Sequence, residues 1–230
     1  MGPLRDRAAV STGPADRGRF ITLEGGEGAG KSTQARRLAR YLESRGLSVL
    51  LTREPGGSPG AEIIRHVILS GAAEPFGADA EAMLFAAARR DHLRVTILPA
   101  LERGDWVICD RFADSTRVYQ GFAGKVDPEF ILALERITVG RNRPDLTLIL
   151  DLPAKVGLAR AAARGEGPDR FEKETLAYHN KLRQGFRALA RAEPERCRLI
   201  DASLDEDAVA GQIRAVVDER FGIGARLVAS

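Results

Sequence analysis

Cysteine is scarce: Cys109 and Cys197 are the two in 230 residues. Their separation matches neither a disulfide scaffold nor a zinc knuckle, so both read as reduced, buried thiols of a cytoplasmic protein. The three histidines, His66, His92 and His179, stand at no metal-ligand spacing and read as structural. No apolar run approaches the roughly 20 residues of a membrane span, and the opening stretch MGPLRDRAAVSTGPADRGR holds no apolar segment of the signal-peptide kind. Its Met-Gly start resembles a myristoylation signal, yet Asp6 stands where Ser or Thr is required. No membrane partner is expected. A dominant charge is also lacking: 35 basic and 32 acidic residues lie scattered along the chain for a net +3. The stretch RVYQGFAGK mixes basic and aromatic residues but is too short for an RNA-binding signature, so no nucleic-acid partner is expected. Internal repeats are absent, and residues 1–18 read as a disordered tail.

A chain of this length with 44% hydrophobic residues can build one core. One domain is expected over residues 19–222, with a short tail over 223–230. Five apolar runs stand out: RFITLE (19–24), SVLLT (48–52), WVIC (106–109), LTLIL (146–150) and CRLI (197–200). They are nearly continuous instead of alternating, which is how strands buried on both faces read. Between them lie helical patterns. In STQARRLARYLESRG, Ala35, Leu38, Ala39 and Leu42 share one stripe and Gly46 ends the helix. This alternation predicts an α/β fold, a five-stranded parallel sheet with helices on both faces. Each run leads into polar residues: Glu24, Thr52-Arg53-Glu54, Asp110-Arg111, Asp151 and Asp201. Open parallel sheets bind ligands at the carboxyl ends of their strands, so these groups are expected to converge there. Two loops mix arginine with Gly and Pro, TREPGGSPG (52–60) and ARGEGPDR (163–170), and the second fits a lid over about 160–172.

The stretch LEGGEGAGKST satisfies G-x-x-x-x-G-K-[ST] through Gly25, Gly30, Lys31 and Ser32, after a strand and before a helix. Bare backbone at the glycines lets N–H groups close around a polyphosphate, and the helix N-terminus adds favourable charge. Residues Gly25, Gly26, Glu27, Gly28, Ala29, Gly30, Lys31, Ser32 and Thr33 are therefore the expected site for the phosphates of a nucleoside triphosphate. Lys31 reaches the β- and γ-phosphates and Ser32 offers an oxygen to Mg²⁺. Glu27 is a carboxylate among phosphates. It either turns to a hydrogen-bond donor such as a sugar hydroxyl or faces solvent.

Together, LEGGEGAGKST, TREPGG, Phe85 four residues ahead of Arg89, DRFADSTRVYQG and RGEGPDRFE resemble the thymidylate kinase family from about residue 19 to about residue 220. The resemblance implies a P-loop NTPase fold with a lid, transfer of a phosphoryl group from ATP to dTMP with Mg²⁺, and a homodimer. It implies that Glu27 binds the 3′-hydroxyl of the deoxyribose, that Phe85 stacks on thymine and that Arg89 hydrogen-bonds the base. Ser115, Thr116 and Gln120 fall in the segment that reads the base from the other side, and Tyr119 crowds the 2′ position of the sugar. Arg53 and Arg111 match arginines near the acceptor phosphate, and Asp110 the acid associated with Mg²⁺. Some members carry a catalytic arginine where this chain has Gly28. The resemblance is therefore to the bacterial type, whose arginines come from the lid, here Arg164 and Arg170, with Arg160 behind them.

The residues fit that chemistry without the resemblance. A phosphate monoester has a second pKa of about 6 and is already anionic at neutral pH, so it needs no general base. The strand ends supply arginines and acids but no histidine, whereas a hydroxyl acceptor would call for a base. Periodicity alone reads Phe85 as core and Arg89 as a solvated cation at a helix end. The rival readings are another small-molecule kinase on this fold, a P-loop switch or partition protein, and a pure binding module.

Overall fold

The computed structural model describes residues 17–163, 170–171 and 173–223. Its strands are β1 (Phe20–Gly25), β2 (Val49–Arg53), β3 (Trp106–Asp110), β4 (Leu146–Asp151) and β5 (Cys197–Asp201). The helices are α1 (Lys31–Ser44), α2 (Pro59–Leu69), α3 (Gly77–His92), α4 (Leu98–Glu102), α5 (Ala113–Thr116), α6 (Pro128–Thr138), α7 (Ala154–Ala162), α8 (Leu176–Ala192) and α9 (Glu206–Phe221). Two π-helical segments, Leu93–Ile97 and Arg117–Ala123, continue α3 and α5.

The five strands form one parallel sheet in the order β2-β3-β1-β4-β5, as the apolar runs predict. The expectation that every strand is buried on both faces holds for β1 and nearly so for β4, but not for the sheet edges. β2 and β5 have half-exposed or exposed positions, because an edge strand has a neighbour on one side alone. On one face, Leu38 and Leu42 of α1 and Ile213 and Val217 of α9 pack on Ile21, Leu23, Ile108 and Leu148. On the other, Phe20 and Val107 meet Leu93, Ile97, Leu101 and Phe112, while Leu182 and Phe186 of α8 cluster with Ile149.

The apolar stripe read on α1 is buried at all four positions. Gly46, in the left-handed region at φ 77°, ends the helix, and the Leu47 N–H donates back to the Leu42 carbonyl at 3.2 Å. Gly18 and Ile223, which the sequence reading assigns to the tails, belong to the packed domain. Gly18 is buried and donates to the Leu101 carbonyl, and Ile223 joins the core. The rest of both tails, except Arg17, and most of the predicted lid lie outside the described residues.

Candidate active site

The phosphate loop emerges from the middle of the sheet, where the strand order reverses beside β1. Gly28 (φ 65°) and Gly30 (φ 89°) occupy left-handed conformations that suit glycine. Gly28 has a second constraint: a Cβ there would overlap the Gly157 carbonyl of α7, so the loop lies backbone against backbone on that helix. Gly30 is the N-cap of α1 and has no side chain to cap it, and the first turn holds no acid. The helix thus begins with unsatisfied N–H groups and a positive field, the conditions for binding an anion. Lys31 is buried and donates to the Gly26 carbonyl at 2.7 Å. Burial, then repulsion from Arg111, lowers its pKa. The Ser32 hydroxyl donates to the Asp110 carboxylate, bringing two oxygen ligands together at the mouth of the loop.

Glu27 turns away from the loop and accepts from Arg111 Nη2 and from the Tyr119 hydroxyl, each at 2.6 Å, both on Oε1. Of the two sequence readings, the solvent-facing one is therefore excluded. Burial pushes the Glu27 carboxyl up, but attraction to Arg111 and then Lys31 outweighs it, and its pKa falls to about 2. Arg111 sits at φ 70°, a left-handed conformation uncommon for a non-glycine residue. Its Nη1 donates to the Gly25 carbonyl at 3.1 Å and to Ser115 Oγ at 3.3 Å, and its guanidinium carbon lies 5.1 Å from the Tyr119 ring centre.

A cavity of about 600 Å³ joins these groups, reaching from residues 28–33 to Phe85, Thr116, Tyr119 and Gln120. Phe85 is half-buried: it packs against the core cluster of Ile149, Leu182 and Phe186, as periodicity suggests, and also lines the cavity. Arg89, read from its position as a solvated cation, is buried. Its Nε donates to Glu54 at 2.7 Å, and its Nη2 to the Phe112 carbonyl and Thr116 Oγ1 at 3.1 and 3.2 Å. His92, also buried, lies 3.1 Å from Glu54 and 2.8 Å from the Thr52 hydroxyl, a structural role as expected. Arg53 lines the cavity from β2, half-exposed and paired with Glu62 at 3.0 Å.

The lid arginines are placed differently from one another. Arg164 lies outside the described residues. Arg170 is not brought to the phosphate loop; it pairs with Glu81, lies 3.6 Å from Glu74 and stacks over Phe171. Arg160 lines the cavity and donates to the Ala202 carbonyl at 3.2 Å.

The strand-end groups do not all converge. Arg53, Glu54, Asp110 and Arg111 reach the cavity, but Glu24 is buried beneath the loop. Asp151 pairs with Arg183 of α8 at 2.6 Å, and Asp201 binds Ser203. Sequence reasoning missed Phe171, which lines the cavity with ring centres 6.3 Å from Phe85 and 5.5 Å from Tyr119. An aromatic residue in a loop of Gly, Pro and Arg is the signal that points to it.

Comparison with known proteins identifies the family. The family model described as thymidylate kinase matches residues 23–213. The thymidylate kinase of Nitrobacter winogradskyi is 60% identical over 216 residues, covering 92% of this chain and 94% of its own. That of Rhodopseudomonas palustris is 60% identical over 208 residues, covering 89% of this chain and 90% of its own. The crystal structure of thymidylate kinase from Ehrlichia chaffeensis superposes with a TM-score of 0.71 at 33% identity, covering 88% of this chain and 99% of that one.

Proposed function

The chain belongs to the thymidylate kinase family and is a nucleoside monophosphate kinase that phosphorylates dTMP, and we propose that it does so with the residues gathered around this cavity. ATP places its phosphates on the loop from Gly25 to Gly30 and on the free N–H groups of α1, with Lys31 against the β- and γ-phosphates. dTMP lies across the cavity with its base between Phe85 and the segment carrying Thr116 and Gln120. Arg89 is held for the base by Glu54. Glu27 accepts from the 3′-hydroxyl, and its geometry supports this: Oε1 carries both Arg111 and Tyr119, and Oε2 accepts from none of the described residues. Arg53 and Arg111 neutralise the acceptor phosphate.

Ser32 and Asp110 present oxygen ligands of the kind a hard cation takes. Among the described residues no group of three acidic, histidine or cysteine side chains forms a metal cage. That suits Mg²⁺, which is usually bound by one or two protein oxygens together with substrate phosphates. When bound there, Mg²⁺ supplies charge neutralisation on the phosphate oxygens. The protein groups do the rest by position: Lys31 and Arg111 hold donor and acceptor phosphates close despite their repulsion, and no side chain needs to remove a proton. The buried, well-separated free cysteines fit a cytoplasmic setting.

The observation that carries this reading is the single cavity in which an uncapped helix N-terminus and Lys31 face the Glu27–Arg111–Tyr119 cluster. The test is an ADP-release assay with ATP and Mg²⁺, offering dTMP, dUMP, AMP, CMP, GMP and thymidine separately beside a control without acceptor. Turnover concentrated on dTMP is expected. Turnover of thymidine but not monophosphates, or hydrolysis independent of any acceptor, would show that the acceptor side is misread.

A further inference from the structure

Glu24 is the last residue but one of β1, immediately before the phosphate loop, yet it is buried completely and does not line the cavity. A carboxyl in that position is costly unless donors surround it. Its donors all come from the turn that follows β3. Oε1 accepts from the Phe112 N–H at 2.8 Å and the Ser115 N–H at 3.2 Å, while Oε2 accepts from the Ser115 hydroxyl at 2.6 Å. Phe112 is the N-cap of α5 and offers no side-chain acceptor of its own. Asp114, in the first turn, is occupied by Arg196 at 2.6 and 3.0 Å. Glu24 therefore supplies, from a different strand, the cap that α5 lacks.

The turn so fixed contains Arg111 in its left-handed conformation. Its backbone is tied further by the Arg111 N–H to the Leu23 carbonyl at 2.9 Å and by the Cys109 thiol, which donates to the Arg111 carbonyl at 3.0 Å. A strained backbone persists where the surroundings over-determine it. Glu24 also acts on the side chain: because the Ser115 hydroxyl spends its proton on Oε2, its oxygen is left to accept from Arg111 Nη1 at 3.3 Å. A continuous relay results, from Glu24 through Ser115 to Arg111 and on to Glu27.

We propose that Glu24 is a positioning residue for phosphoryl transfer: from beneath the phosphate loop it fixes the 111–115 turn and so sets where the Arg111 guanidinium stands relative to Glu27 and the acceptor. The inference rests on the acceptor site assigned above. It places the acceptor-side arginine under control of the strand that carries the donor loop, so both substrates are registered on one rigid element.

The test is a double-mutant cycle with steady-state kinetics. Glu24→Met keeps the volume and removes every acceptor, and should raise KM for dTMP at least tenfold while KM for ATP stays within about twofold. Glu24→Gln keeps the backbone cap through its carbonyl and should recover most of that loss. In an Arg111→Ala background, Glu24→Met should change KM for dTMP by less than about twofold, since it acts through the missing guanidinium. Equal movement of both KM values, an unaltered KM for dTMP, or additive effects in the cycle would each overturn the inference. If Glu24→Met does not fold, Glu24→Asp, which withdraws the carboxylate by one methylene, carries the same cycle with the same expected outcomes. Failure of the site assignment is separable: Arg111→Ala without effect on dTMP would sink the acceptor site itself, whereas an effect of Arg111→Ala alone sinks the role of Glu24 and nothing more.

Discussion

Glu27 and Glu24 are three residues apart, yet their surroundings drive them in opposite directions. Arg111 and Lys31 hold Glu27 down to about 2, whereas burial first, and Asp114 next, push Glu24 up to about 7. The signs follow from linkage. Glu27, depressed from 4.5, contributes stability above that value that is lost as pH falls towards 2, roughly 3 kcal/mol over the full span. Glu24, raised from 4.5, gives up a similar roughly 3 kcal/mol as pH rises through about 7. Thermal melts should therefore show Glu24→Gln gaining on the parent protein between pH 5 and pH 8, and Glu27→Gln losing more at pH 7 than at pH 3. A parallel pH dependence for all three proteins would contradict both shifts. Kinetically, Glu27→Gln should raise KM for dTMP about tenfold with little change for ATP, and equal effects would remove its role at the sugar. The motif made Lys31 and Ser32 legible because their chemistry depends on neighbours in sequence. The burial and pairing of Glu24, Glu54 and Arg89 were not, since their partners lie more than 20 residues away and burial is invisible in the chain.

At the level of elements, the contact between the phosphate loop and α7 is the most constrained. A Cβ on Gly28 would overlap the Gly157 carbonyl, and one on Gly157 would overlap the Glu27 carbonyl. No side chain fits between them, which accounts for the absence of an arginine at position 28 in this chain. Arg160 stands one turn beyond Gly157 on the helix that precedes the expected lid segment. Gly157→Ala should push α7 from the donor loop, raising KM for ATP several-fold and lowering kcat while sparing KM for dTMP. Steady-state kinetics decide, and an effect confined to dTMP would contradict the assignment of sides. For the lid, single alanine variants should separate the arginines. The one that acts in the transition state should lose on the order of 10³ in kcat, whereas an Arg170 that serves only through its pair with Glu81 should alter substrate affinity. The strands were legible to within a residue because apolar runs end where the sheet ends. The π-helical segments were not, because an added residue in a helical turn leaves the apolar spacing nearly unaltered.

For the whole molecule, parallel strands and their count followed from alternation with helices, but the order β2-β3-β1-β4-β5 did not, because crossovers of similar length permit several orders. Nor does any sequence stripe mark an outer surface for assembly; exposure does. Ile63 and Val67 stand one turn apart on α2 and are 70% and 37% exposed, and on the adjoining α3 Met83 is 47% exposed. Phe76, just ahead of α3, is 73% exposed, and Val95, just beyond it, 43%. Exposed apolar side chains on two adjoining helices are what a second copy of the chain would cover, and the homodimer that the family resemblance implies is expected to form through α2 and α3. A self-complementary contact doubles the effect of each substitution, because every residue occurs twice across a two-fold axis. Ile63→Glu combined with Met83→Lys should therefore convert a dimer to a monomer in sedimentation at micromolar concentration, with the fold retained by circular dichroism. An unsubstituted chain that sediments as a monomer, or a double variant that remains a dimer, would remove α2 and α3 as the interface.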